Sequence, residues 1–324
     1  LSRAYLLTDD TRYAHATAVL LWQLAEYYPR YYYEKQSRYG KEVQPSYVGR
    51  LLYHTWESNS TAQIVPLAYD AIKPAVARDS ALADLAGLSP KALMTRIEDR
   101  LLRTMANDIL DGSGRIQGNY GMHQSALLKI AAVLKNSRKE PSSKQMIDWV
   151  LDNPGAGQYT QLGLVDAINN LVHRDGYPFE SPSYNIGWLR SINQIVSSMG
   201  AEGRRILAMP RFRNLYLWPI RMAVAGEFVP SYGDSNHLFQ SLIGWAPEIL
   251  ESAYRHSKDP VFARALRQIK ARPRRDLFVP RLDSAEVAEV AGRARGPLGV
   301  QSQLLPGVGF ASLQAGSPRN RTAL

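Results

Sequence analysis

The sequence contains no cysteine. That absence excludes disulfide staples, thiolate metal sites and cysteine nucleophiles, and it leaves the redox compartment open. No apolar run approaches the roughly 20 residues that a membrane-crossing helix needs. No basic n-region followed by an apolar stretch precedes the first helix, as in a chain whose signal peptide has been removed. Acidic residues are in deficit, with 29 Asp and Glu against 39 Lys and Arg and a formal charge of +10. The excess is partly local: residues 255 to 295 carry eleven Lys or Arg and five Asp or Glu. Such a balance suits a polyanion, either nucleic acid or acidic polysaccharide, and equally a solvated basic surface with no partner.

What is present is a long, well-mixed chain: 324 residues, 45% hydrophobic and 21% charged, enough for a large core in one or two domains. Apolar residues recur at three- and four-residue spacing in the segments 11–28, 62–77, 91–110, 125–134, 161–172, 185–199, 211–224, 238–254 and 260–270. The spacing predicts successive helices with no convincing strand between them. Several of these segments are apolar over a wide face, which fits bundles, solenoids or toroids of helical hairpins. No period of roughly 30 to 45 residues is visible, so the common helical repeats fit poorly. After about Arg272 proline, arginine and glycine accumulate as in a linker, and residues 303–316 read as short β segments with a turn at Pro306-Gly307. A strand pair that small does not stand alone, so the sequence predicts the opening of a β domain that the chain largely lacks.

Three loop-to-helix junctions carry polar and aromatic residues beside glycine or proline: GNYGMHQ at 118–124, DGYPFESPSYNIGW at 175–188, and PSYGDSNHLF at 230–239. By helical phase, His123 precedes the stripe Leu127, Ile130, Ala131, Leu134, and Tyr184 precedes Trp188, Ile192, Ile195, Met199. Both side chains are therefore expected at the open end of a packed helix layer. If the intervals between the junctions each span an even number of helices, the three N-termini open at one end. That end would favour a carboxylate or sulfate.

The stretches GNYGMHQSALLKIA, DGYPFESPSYNIGWL and PSYGDSNHLF resemble the signature regions of the heparinase II/III-like polysaccharide lyases. LAYDAI at 67–72 resembles an earlier helix of that family, and LLPGVGFASLQAG is similar to the first strands of its second domain. The resemblance implies an incomplete (α/α) toroid over residues 1–272, a linker over 273–300, and the start of a truncated β-sandwich over 301–324. It also implies an acidic polysaccharide as substrate, glycosaminoglycans ahead of alginate, and a periplasmic or secreted location. Nucleic acid is not an expected partner.

The family chemistry is β-elimination at a uronate. Taking the C5 proton beside a carboxylate requires that group to be hydrogen-bonded or neutralised, a base for the proton, and an acid for the departing O4. Asn, His and Tyr suffice without a metal, so no cofactor is expected in this chain; a structural metal would belong to the absent β domain. By motif, Asn119 resembles the residue that holds the carboxylate and Tyr184 the catalytic tyrosine, with His123 as base or second carboxylate contact. Tyr120, Gln124, Glu180, Asp234, Asn236, His237, Trp188 and His54 are expected to bind or support the substrate. The family often has His directly after the asparagine, where Tyr120 stands here, and this leaves open which of Tyr120, His123 and Tyr184 is base and which is acid.

Each of these residues also has a plain reading. Asn119 suits a glycine-flanked turn, His123 a helix start, Tyr184 an interface, and Asp234 with Asn236 an N-cap. The joint order and spacing favour a site. Two other functions remain in view: a toroid glycoside hydrolase, for which Glu180 and Asp234 would be the carboxylates, and a non-catalytic helical module that binds polyanions.

Overall fold

The computed structural model describes residues 1–36, 48–135, 137–225, 228–235, 247–268, 277–294, 301–317 and 320–323. The chain is mainly helical with a few short antiparallel strands. Contacts divide it into two compact units, Leu1–Leu164 and Val165–Leu324, a boundary that composition does not announce.

Helix starts are written locally. Asp10 accepts the Arg12 N–H to open Thr11–Tyr27, and Ser89 accepts the Ala92 N–H to open Pro90–Ile97. Proline stands at the first position of Pro90–Ile97, Pro182–Ser198, Pro210–Arg221 and Pro260–Gln268, where its missing N–H costs nothing.

In the first unit, Thr11–Tyr27 buries Ala14, Thr17, Ala18, Leu21 and Ala25 against Ala62–Val76, which returns Val65, Tyr69, Ile72 and Val76. Met122–Val133 packs between Ala62–Val76 and Ser143–Asp152 and is buried along nearly its whole surface. Burial on this scale, at about 25 cal/mol per Å² of apolar area, is what holds such a helix in place. The segment that periodicity assigned to 91–110 is helical throughout, with a wider π turn at Glu98–Leu102.

In the second unit, Pro182–Ser198 buries Ile186, Trp188, Leu189, Ile192 and Ile195 and packs on Gly200–Leu207 and Pro247–Ser257. The stretch expected to be a linker contains a helix, Ser284–Gly292, capped by Asp283 and packed against Pro260–Gln268. Its apolar residues Val287, Val290 and Ala291 were hidden by the prolines and arginines on either side. The basic excess here is partly answered at home, by the ion pairs Lys258–Glu286, Arg255–Glu251 and Arg293–Glu289.

The β segments form two hairpins. Gln303–Leu305 pairs with Phe310–Ser312, with Leu305 opposite Phe310 across the Pro306-Gly307 turn, and Gln314–Ser317 pairs with Asn320–Ala323. The first hairpin is not free-standing: Gly307 donates its N–H to Asp175 at 2.9 Å, and Leu305 is buried. Among the described residues, no helix is long and apolar enough to cross a membrane.

Candidate functional site

The glycine-punctuated stretch before Met122–Val133 is shaped by two close constraints. Gly121 adopts φ 88°, a left-handed conformation that L side chains resist. Gly118 packs so tightly that a Cβ would lie 2.5 Å from Ser58 Oγ and 2.8 Å from Met122 Sδ. Ser58 belongs to a π turn, Glu57–Thr61, that widens the helix just before Ala62–Val76. Such turns recur at functional sites.

The side chains of this turn divide sharply by exposure. Asn119 is half-buried, and its carbonyl accepts the Met122 N–H at 3.1 Å. Tyr120 is fully buried and belongs to the core. Gln124 is also fully buried: its Oε1 accepts the Gly121 N–H at 2.9 Å, and its Nε2 donates to the carbonyls of Thr160 at 2.8 Å and Leu162 at 3.2 Å. The amide expected to meet substrate is thus committed to holding the loop around Thr160 against the helix start.

His123 is 1% exposed and tilts against Trp149 with ring centroids 6.0 Å apart. Neither ring nitrogen has a hydrogen-bond partner of ordinary geometry. Burial pulls its pKa down to about 4, the Thr160 backbone opposing weakly and the nearby His54 adding to the fall. The ring is therefore neutral at pH 7. His54 is half-buried, its ring edge-on to Tyr53 at 4.9 Å, and burial lowers its pKa against a hydrogen bond with the Gly114 backbone.

Neighbouring polar groups tie this region together. Gln63 donates to the carbonyls of Met122 at 2.6 Å and Ser58 at 3.1 Å, and its Oε1 accepts from Lys129 and from Ser125 Oγ. Burial pulls the Lys129 amine down to about 8. Two buried carboxylates lie in the same unit, and both are occupied. Glu57 accepts from Tyr28 Oη at 2.8 Å and from the Leu51 and Leu52 N–H groups at 3.0 Å, while Asp108 grips Arg50 with both oxygens. Sequence reading missed Gln63 and Lys129 as participants. Gln63 and Lys129 lie on helix faces where nothing but the fold marks them.

The second unit brings the other two sequence motifs together. Asn185 donates to the carbonyls of Pro178 at 3.1 Å and Glu180 at 2.7 Å and accepts the Glu180 N–H, pinning the turn before Pro182–Ser198. Tyr232 donates to Tyr177 Oη at 2.5 Å, and Tyr177 donates to the Glu180 carbonyl at 3.1 Å. Burial first, and then Tyr232, holds the Tyr177 phenol well above its ordinary pKa. Ser235 Oγ accepts the Ser183 N–H at 3.1 Å, so the helix is capped from the 230–235 loop. The natural capping residue, Ser181, has the extended conformation a cap requires, yet its Oγ is buried without a partner.

At this junction Tyr184 and Glu180 are half-buried and Asp234 is exposed. Trp188 is fully buried, edge-on to Phe179 at 5.4 Å, and serves the core. Asn236 and His237 lie outside the described residues, as does the helix start expected at Leu238. Asn119, His123 and His54 belong to the first unit, and Tyr184, Glu180 and Asp234 to the second. Among the described residues, no three His, Asp or Glu side chains gather as a metal site would require. No protein-family profile and no curated protein sequence matches the chain.

Proposed function

We propose that the chain is the helical part of a polysaccharide lyase that cleaves a uronic-acid-containing polymer by β-elimination, its helices pairing as hairpins of an incomplete (α/α) toroid. The observation that supports this reading most is the half-buried Asn119 amide on its glycine-built turn, in the same unit as His54 and His123, whose pKa values are both lowered by burial.

In this mechanism the Asn119 amide donates to the uronate carboxylate as charge develops there. A neutral imidazole takes the C5 proton; the electron pair forms the C4=C5 bond, the C4–O4 bond breaks, and O4 leaves with a proton. His54 is half-buried and is proposed as the base, while His123 is buried against Trp149. Tyr184 is proposed as the acid to O4. The proposed location is periplasmic or secreted, and glycosaminoglycans are the favoured substrates.

The test is incubation of the protein with hyaluronan, chondroitin sulfate, heparan sulfate and alginate while following the ultraviolet absorbance of a 4,5-unsaturated uronate. Absorbance should rise on at least one polymer, and Asn119→Ala, His54→Gln and Tyr184→Phe should each lower kcat by about 100-fold or more. Reducing ends without that absorbance would mean hydrolysis. Full activity in Tyr184→Phe would remove the tyrosine from the mechanism.

A further inference from the structure

A cavity of about 670 Å³ opens in the first unit where Ser2–Thr8 ends, Thr11–Tyr27 begins and Ala62–Val76 stops. This volume lies within the range of small-molecule sites. Ala75 lines it, about 18 Å along the helix from Gln63 at about 1.5 Å per residue, so the cavity is separate from the candidate site.

Its polar lining is partly fixed and partly unspent. Asp79 receives His15 Nδ1 at 2.8 Å on one oxygen and the Leu82 N–H at 2.9 Å on the other, which anchors the imidazole and leaves Nε2 as an acceptor for a ligand hydroxyl. Arg12 is bound to Asp10 through contacts of 2.6 to 3.1 Å, so its charge is answered. Arg78 differs. Only its Nε is engaged, with the Pro74 carbonyl at 3.2 Å, and among the described residues no carboxylate pairs with it. Tyr5, Asp9, Thr11 and Ser80 complete the lining.

This set discriminates among ligands. The Arg78 guanidinium fork suits a planar carboxylate. A free carboxylate at Asp9, with the hydroxyls of Thr11, Ser80 and Tyr5, suits a ligand rich in hydroxyl groups. A bare phosphate would leave Asp9 without a hydroxyl partner, and a neutral sugar would leave Arg78 unanswered.

We propose that this cavity binds a small sugar acid, a polyhydroxylated ring bearing one carboxylate, with the carboxylate on Arg78 and the hydroxyls on His15, Asp9, Thr11 and Ser80. Binding here requires no turnover, so the proposal stands or falls apart from the lyase reading. The experiment is calorimetric titration of the whole chain with glucuronate, glucose and inorganic phosphate. Glucuronate should bind, glucose and phosphate should bind at least about tenfold more weakly, and Arg78→Ala should weaken glucuronate by about tenfold. His15→Gln, which can still donate to Asp79, should weaken it severalfold. The proposal is overturned if glucuronate does not bind, if glucose or phosphate binds equally well, or if Arg78→Ala binds glucuronate as tightly as the native chain does.

Discussion

The two loop-to-helix junctions look alike as sequence and differ as structures. The junction at 118–124 is closed on itself: Gln124 reaches back to Gly121 and out to the Thr160 loop, and Tyr120 and His123 are buried beneath Asn119. The junction at 175–184 is pinned from within by Asn185 but capped from outside, by a serine and a tyrosine of the 230–235 loop, while its own capping serine is unused. A self-contained cap built on fully buried bonds is expensive to break. A borrowed cap with a spare beside it is cheap to exchange. The first arrangement suits a side chain that must stay put, as proposed for Asn119, and the second a segment that can adjust.

This contrast breaks most readily at Gln124. Gln124→Ala removes three hydrogen bonds from a buried setting and should cost about 3 kcal/mol or more in urea unfolding. A loss below about 1 kcal/mol would show that the first junction is no firmer than the second. Next comes His123. Its pKa in the folded chain is about 4 against an ordinary 6.5, so the folded state resists protonation that the unfolded chain accepts. The stability from this neutral ring is fully present above pH 6.5 and is lost as pH falls towards 4, by roughly 3 kcal/mol at about 1.4 kcal/mol per unit. Urea midpoints measured across that window should fall steeply in the native protein and less steeply in His123→Gln. Equal slopes would mean that another group governs the acid response.

How much of this was legible beforehand follows from the physics of each feature. Helices such as Thr11–Tyr27, Ala62–Val76 and Pro182–Ser198 declare themselves through one buried stripe and a local cap. The helix Ser284–Gly292 did not, because nine residues carry too few apolar positions to outweigh flanking proline and arginine. At the junctions, sequence marked the right turns and misjudged several side chains within them. Phase puts His123 at the open end of a layer, but it does not reveal how deep that layer lies: His123 is buried, and so are Gln124 and Trp188, which were expected to meet substrate. The cap supplied by Ser235 to Ser183 spans 52 residues and has no local trace.

The second junction offers the finer tests. Tyr232→Phe removes the hydroxyl that donates to Tyr177, whose own bond to Glu180 survives, so a loss of about 1 kcal/mol is expected. Ser235→Ala should cost less, a few tenths of a kcal/mol, because Ser181 already has the conformation of a cap and an unspent hydroxyl with which to replace it. Ser181→Ala alone should be near neutral or slightly stabilising, since it deletes a buried hydroxyl that has no partner. The double variant lacks both caps and should lose about 1 to 2 kcal/mol, more than the two single losses combined. That excess is the signature of two serines competing for one helix end. Strict additivity would show instead that Ser181 cannot take over, and that the second junction is as fixed as the first.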